Sequence, residues 1–403
     1  MIINNIYTNK LMKIKFKKAI IRFFIYLFLS YLWFYFSYLF IRYRPSPYYD
    51  NLKELYYKIK KKPTFDLTIN EKRSFNATKI ITIKNVYDLE VKREKLKNFI
   101  YGEKKLIDLK NLKIEKNIKD KVFNGLNNLD RIDKLIYEME SGINSISYHF
   151  KPLNKKNKLI IIHEGNRGNY YSKKELGNFS NSKKEINYFL KKGFDVFALS
   201  LPLQGINNRP EVYVKNIGII KLDKTFKLKF LDQTYKSHFI RYFLEPIEAL
   251  TDYAKNYFDF ENISMVGISS GGWVTMLSSA TNENIQFSFS VAGSLPLSLQ
   301  NSDIGNSKVF FEQIDPSFYK EFNYLDLYLL SSTTTKNKYF TQIFNKHDSV
   351  RFNGERYKLY EKDVKKIVKY FGYGNFEIYI DENNYEHKIS RRTLDYIFKK
   401  INL

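Results

Sequence analysis

The sequence predicts an α/β protein built on a doubly wound, mostly parallel sheet, with an N-terminal transmembrane helix and a small N-terminal extension. Three observations predict it. From about residue 131 onward, short continuous apolar runs alternate with longer stretches of helical period. A small-residue turn, Gly267-Ile268-Ser269-Ser270-Gly271, sits between one such run and an apolar helix. Near the start, Phe23 to Ile41 carries no charge.

Extended back to Ala19, that stretch is interrupted only by Arg22, near its edge, and suits a membrane span: about twenty residues at about 1.5 Å each cross a bilayer core. Lys10, Lys13, Lys15, Lys17, Lys18 and Arg22 precede it with no acidic residue among them, and only Arg42 and Arg44 follow closely. The positive-inside bias therefore puts residues 1–18 in the cytoplasm as a basic tail and the rest of the chain outside it. The end of the apolar stretch is aromatic and runs into Arg42-Tyr43-Arg44-Pro45. A cleaved signal peptide ends in small residues, so an uncleaved signal-anchor at 19–41 is expected.

Residues 42–130 read as a tether and accessory region, with a helical patch at Leu52–Ile59 and a strand at Lys79–Lys84. The main α/β domain is expected over 131–403. Asp133–Glu140 and Ser145–Lys151 alternate in polarity about Ser141-Gly142-Ile143-Asn144, a hairpin pattern. Lys158–His163 is a continuous apolar run that suits a strand buried on both faces. A helix at 183–192 and a strand at 194–200 follow. Residues 206–235 read as an irregular excursion, and Phe239–Tyr257 as a long helix. Then come strand 263–267, helix 273–279, strand 285–292, an insertion at about 295–335, strand 339–345, helix 358–370, strand 376–380 and helix 390–401.

The composition is strongly basic, with 67 Lys and Arg against 42 Asp and Glu, a formal charge of +25. The lysines are spread along the chain rather than gathered in one stripe, and neither C₂H₂ spacing nor an RNP signature occurs. No nucleic-acid partner is expected. There is no cysteine, which excludes disulfides, thiolate metal sites and a cysteine nucleophile. The histidines lack H-x-x-x-H spacing, so no metal or organic cofactor is expected.

Strand–turn–helix context gives the G-x-S-x-G turn its force. Such a turn lifts the Ser269 hydroxyl above the sheet, beside a helix N-terminus, where the Ser270 N–H can face an oxyanion. A serine nucleophile needs a base. His387 lies between the last strand and the last helix, at the same sheet edge as Ser269. Asp348 follows the strand at 339–345 on a loop at that edge and can orient the imidazole. His163 reads as structural or near the oxyanion site. His149, His238 and His347 read as ordinary polar or loop-setting positions, and Asp315, Asp326 and Asp363 as weaker acid candidates.

The order Ser269, Asp348, His387 resembles the α/β-hydrolase superfamily, whose triad runs Ser, Asp or Glu, His. The resemblance covers about residues 131–403 and implies a serine-esterase-like enzyme without a cofactor. In that family the turn after the third strand supplies a second oxyanion donor. Here the turn is His163-Glu164-Gly165-Asn166-Arg167-Gly168, similar to the family's His-Gly turn but with Glu164 in place of the usual first glycine. The resemblance gives the donor role to the backbone of Gly165 or Asn166. Leu201-Pro202-Leu203-Gln204-Gly205 resembles the family's turn after the fourth strand, without its aspartate.

The expected activity is hydrolysis of a carboxylic ester through an acyl-enzyme, with the substrate a small molecule or an acylated envelope glycan or lipid. An acyltransferase, a serine peptidase on the same fold and a non-catalytic binding protein are the alternatives. The oligomeric state is open. One measurement tests the topology: a reporter fused after Leu403 is expected to be extracytoplasmic, and a cytoplasmic signal would refute the orientation.

Overall fold

The computed structural model describes residues 2–43, the isolated positions 52, 55, 56 and 59, and residues 74–102, 108–166, 179, 182–300, 310–335, 337–348, 350 and 352–402. The chain divides into two compact units, Met1–Lys62 and Pro63–Leu403. The first carries helix α1 (Ile2–Tyr43), within which Ile20–Phe40 is long and apolar enough to cross a membrane. Its 21 residues span about 32 Å. Phe23, Phe24, Ile25 and Tyr26 are all exposed, so apolar side chains run around the whole circumference of this helix. Half of the patch expected at Leu52–Ile59 lies outside the described residues.

The second unit runs α2 (Val86–Tyr101), β1 (Leu112–Glu115), β2 (Leu129–Glu138), β3 (Asn144–Pro152), β4 (Lys158–His163), α3 (Lys183–Lys191), β5 (Asp195–Leu199), β6 (Glu211–Val214), β7 (Gly218–Lys221), α4 (Arg241–Tyr257), β8 (Asn262–Ile268), α5 (Ser270–Thr281), β9 (Ile285–Val291), α6 (Tyr324–Ser332), β10 (Tyr339–Asn345), α7 (Glu361–Phe371), β11 (Asn375–Asp381) and α8 (Arg391–Ile401). One sheet has the order β1-β2-β3-β5-β4-β8-β9-β10-β11. Its pairs are antiparallel from β1 through β3 to β5. They are parallel from β5 through β4 to β11.

The parallel strands are apolar on both faces because helices cover both. Leu159 and Ile161 of β4 pack into one core with α4, α5 and α6. Ile160 and Ile162 face the opposite core, with α3 and α8. The chain leaves β4 towards β5 on one side and returns through β8 on the other. Such a reversal opens a crevice at the carboxyl ends of the strands, here between β4 and β8.

The compact unit begins well before residue 131. The strand expected at 79–84 is instead a helical turn, Ala77–Ile80, followed by extended chain without a strand partner. Ile81 and Ile83 are buried, so the alternation is real. The backbone is satisfied by a side chain rather than a neighbouring strand: the Thr82 N–H donates to Asp326 Oδ1 at 2.8 Å, and the Thr82 hydroxyl to Oδ2 at 2.5 Å. Asp326 is therefore an anchor for this segment.

Helix α2 follows, with Asn85 as its N-cap. Leu89, Arg93, Leu96 and Ile100 form its buried face. Arg93 is 3% exposed. Its Nη1 donates to the carbonyls of Ala280, at 2.6 Å, and Leu330, at 3.0 Å. One guanidinium thus caps the last turns of both α5 and α6, where unpaired carbonyls and the helix dipoles favour a cation. The excursion at 206–235 is also more regular than expected, because β6 and β7 pair as an antiparallel hairpin.

Arg93→Ala should lower the unfolding free energy by about 2–4 kcal/mol, since two buried carbonyls lose a charged donor. The readout is a lower urea midpoint at unchanged slope.

Candidate active site

Strand β8 ends at Ile268 and α5 begins at Ser270, so a single residue makes the turn between them. That residue, Ser269, has φ 56° and ψ −126°. A non-glycine residue in this region costs about 1–3 kcal/mol and persists only where its surroundings enforce it. Here the Ser269 N–H donates to the Val291 carbonyl at 2.9 Å, and its carbonyl accepts from the Trp273 N–H at 3.0 Å. Both neighbours of the turn are thereby tied to regular structure.

Close approach of β4 to α5 explains the glycine after Ser270. A Cβ on Gly271 would lie 2.5 Å from the His163 carbonyl oxygen and 2.7 Å from that of Glu164. The turn after β4 is equally near the serine: a Cβ on Gly165 would lie 2.7 Å from the Ile268 oxygen and 3.0 Å from Ser269 Cβ. The backbone at Gly165 therefore lies against the side of Ser269. Asn166 follows it, and Arg167 and Gly168 lie outside the described residues. Ser270 is buried and is the first residue of α5, where N–H groups have no intrahelical acceptor.

Asp348 and His387 come from loops after β10 and β11, at the same carboxyl edge. Their pair is direct, His387 Nδ1 to Asp348 Oδ2 at 2.8 Å. The Asp348 side chain is fully buried, and that of His387 is 20% exposed. The Val350 N–H donates to Asp348 Oδ1 at 2.7 Å, fixing the carboxylate plane. With Nδ1–H donated to Asp348, Nε2 is the imidazole nitrogen left as an acceptor.

Asn345, the last residue of β10, ties these two loops together. Its Nδ2 donates to the carbonyls of Glu386, at 2.9 Å, and Lys388, at 3.0 Å. Those carbonyls flank His387 on either side. The Lys346 N–H also donates to the Asp381 carbonyl, at 3.1 Å. Sequence reasoning missed Asn345. Its only signal was an amide at the end of an otherwise apolar strand.

Glu164, in the turn after β4, is buried. Its oxygens accept from the Ser182 hydroxyl, at 3.1 Å, and the Ser200 hydroxyl, at 2.8 Å. Glu164 thus joins the turn after β4 to the entrance of α3 and the end of β5. On the other flank, Gln313 of the insertion donates from Nε2 to the Ser270 hydroxyl at 3.1 Å. Tyr324 holds the Gln313 carbonyl at 2.9 Å. The insertion is therefore hydrogen-bonded to the residue next to Ser269.

No family model and no curated protein matches the sequence. Solved structures do match the fold. A Bacteroides fragilis protein named as an acetyl xylan esterase superposes with a TM-score of 0.50 at 14% identity, covering 77% of each chain. Acetyl xylan esterase 1 of a Thermoanaerobacterium species gives a TM-score of 0.49 at 16% identity, covering 83% of this chain and 98% of its own. The chain has the α/β-hydrolase fold.

Within that fold the other histidines have structural settings. His149 is fully buried between β3 and β5, with Nε2 2.7 Å from Asp195. His238 Nε2 lies 2.9 Å from Asp315, which also accepts from Lys229 at 3.0 Å. His347 stacks on Tyr385 at 4.3 Å between centroids. Asp315 and Asp326 are thus committed to other partners, and Asp363 sits in the first turn of α7.

His163 is buried, with Nδ1 2.8 Å from the Glu164 carbonyl, and burial pushes its pKa down to about 4. An unfolded imidazole titrates near pH 6.5, so the unfolded chain takes up this proton first on acidification. The contribution of neutral His163 is complete above about pH 6.5 and is lost as pH falls towards 4, a change of about 3 kcal/mol. Urea titrations across this range should show stability falling with pH, and His163→Gln should flatten the slope. An unchanged slope would refute the assignment.

Proposed function

We propose that this chain is a serine hydrolase of carboxylic esters, with Ser269 as nucleophile, His387 as general base and Asp348 as the carboxylate that orients it. One observation carries the reading. A serine held at positive φ above the sheet shares an edge with a half-buried Asp348–His387 hydrogen bond on two neighbouring loops.

Asp348 accepts the Nδ1–H of His387, which leaves Nε2 to take the Ser269 proton. Ser269 Oγ attacks the ester carbonyl as that proton departs. The N–H groups of Ser270 and of the Gly165–Asn166 turn hold the oxygen that becomes negative. His387 then protonates the leaving alcohol, water replaces it, and the same steps in reverse release the acid. Glu164 acts through the turn that carries Gly165, Gln313 through the Ser270 side chain at the start of α5, and Asn345 through the loop that carries His387. These are positioning residues.

Substrate choice follows from location and likeness together. Ile20–Phe40 serves as an uncleaved anchor in this reading, with the catalytic unit on the extracytoplasmic side. Structural neighbours bear the name acetyl xylan esterase. An O-acetyl or other acyl ester on an envelope glycan or lipid is therefore the first class of substrate to offer.

A fluorophosphonate probe should label the wild type and fail on Ser269→Ala and His387→Ala. Asp348→Asn should slow hydrolysis of a small acetyl ester by roughly 10²–10⁴-fold. A folded wild type that neither reacts with the probe nor hydrolyses the ester would overturn the assignment.

A further inference from the structure

The hairpin β6–β7 lies in the connection that leaves the carboxyl end of β5, the sheet edge that carries Ser269. One face of it is a packing face: Val212 and Val214 are buried against the main core. The other face is apolar too, yet it is open. Tyr213 and Ile219 form a direct cross-strand pair, 73% and 74% exposed. Ile217 at the tip is 54% exposed. Paired large apolar side chains on the outer face of a short hairpin contribute nothing to the core and mark a contact surface.

The segment after β7 extends this surface. Lys227 Nζ donates to the Lys221 carbonyl at 3.0 Å, which holds the following 3-10 turn, Thr225–Leu231, against the end of the hairpin. Phe226 and Phe230 of that turn are exposed as well. Lysines surround the apolar residues. Lys227 pairs with Asp223 and Lys229 with Asp315. Lys215, Lys221 and Lys224 are exposed, with no ion pair among the described residues. Glu211, opposite Lys221, is the exposed acid of the hairpin.

We propose that the β6–β7 hairpin is a membrane-docking element that seats its aromatic and aliphatic outer face in the interface of an anionic lipid surface. Exposed Tyr and Ile ringed by Lys is the composition such an interface takes: apolar groups enter the headgroup–acyl boundary, and cations meet the negative surface. A second copy of this chain is the poorer occupant. Edge-to-edge or face-to-face pairing of two such hairpins would bring the same lysines together, and like charges across a pairing oppose it. The apolar helix Ile20–Phe40 independently supplies a reason for this chain to be at a bilayer. Docking would set the rim of the candidate site, at the end of β5, close to lipid headgroups.

The test exploits the absence of cysteine. Full-length protein carrying Ile217→Cys is labelled with an environment-sensitive dye. It is then reconstituted into vesicles of phosphatidylcholine alone or mixed with phosphatidylglycerol. Lys399→Cys on α8, an exposed position, serves as the control. Docking predicts a blue shift of the hairpin dye, quenching by brominated acyl chains and protection from aqueous iodide. These should be strongest in the anionic vesicles, with none of them at the control site. Joint substitution of Lys215, Lys221 and Lys224 by Glu should lower the docked-to-free ratio on the order of a hundredfold.

Equal iodide quenching of the hairpin dye in both vesicle types would overturn the proposal. So would energy transfer between two labelled copies that is the same in both lipids, because a second copy would then cover the face. No step of this test uses catalysis, so its failure leaves the hydrolase reading intact.

Discussion

Ser269 sits in a backbone conformation that its own chemistry disfavours, and much of the surrounding architecture is what holds it there. Its N–H reaches Val291 at the end of β9, and its carbonyl caps into α5 through Trp273. The first bond depends on the parallel register of β8 with β9, which sets Ile268 beside Val291, and the second is the opening i+4 bond of α5. The turn also needs β4 on its other side, where the His163 and Glu164 carbonyls approach Gly271 more closely than any side chain would allow. Strain of about 1–3 kcal/mol is small against the packing of two helix layers on this sheet, so the conformation survives.

Around that turn, polar side chains do the work of aligning separate loops. Asn345 bonds the carbonyls on both sides of His387, while Asp348 bonds its ring. Glu164 links the turn after β4 to the hydroxyls of Ser182 and Ser200. Gln313 brings the insertion to Ser270. Each of these groups is buried, and a buried polar group left without a partner costs about 1–3 kcal/mol. The network therefore favours one arrangement of the loops over its alternatives, which is what a preorganised site requires.

The N-terminal part of the compact unit is bound to the sheet layers by the same means. Asp326 of α6 receives the backbone at Thr82, and Arg93 of α2 receives the carbonyl ends of α5 and α6. Helix α5 thus has Ser269 at one end and Arg93 at the other. Its position, on which the Ser270 N–H depends, is set by residues far from the crevice.

Much of this was legible in the sequence, for definite reasons. Apolar runs such as Leu-Ile-Ile-Ile in β4 can be stable only between two covered faces, which implies a parallel sheet with helices on both sides. Ser269, Asp348 and His387 each follow a strand in an alternating chain, so their common edge follows from those strands running parallel. The uncharged stretch Phe23 to Ile41 needs no tertiary context to be recognised. What the sequence did not disclose were interactions between distant residues. The alternation of Ile81 and Ile83 looked like a strand because periodicity records burial, whereas the hydrogen-bond partner proved to be the Asp326 carboxylate, 244 residues away. Asn345, Glu164 and Gln313 carry no local pattern, and α2 hid behind its charges because its buried face includes an arginine. Outside residues 77–101, local sequence determined most of the strands, helices and turns, since that is a matter of period and backbone sterics. Only the tertiary structure decided which buried polar groups meet, because each partner is chosen by the packing of elements that the chain keeps far apart.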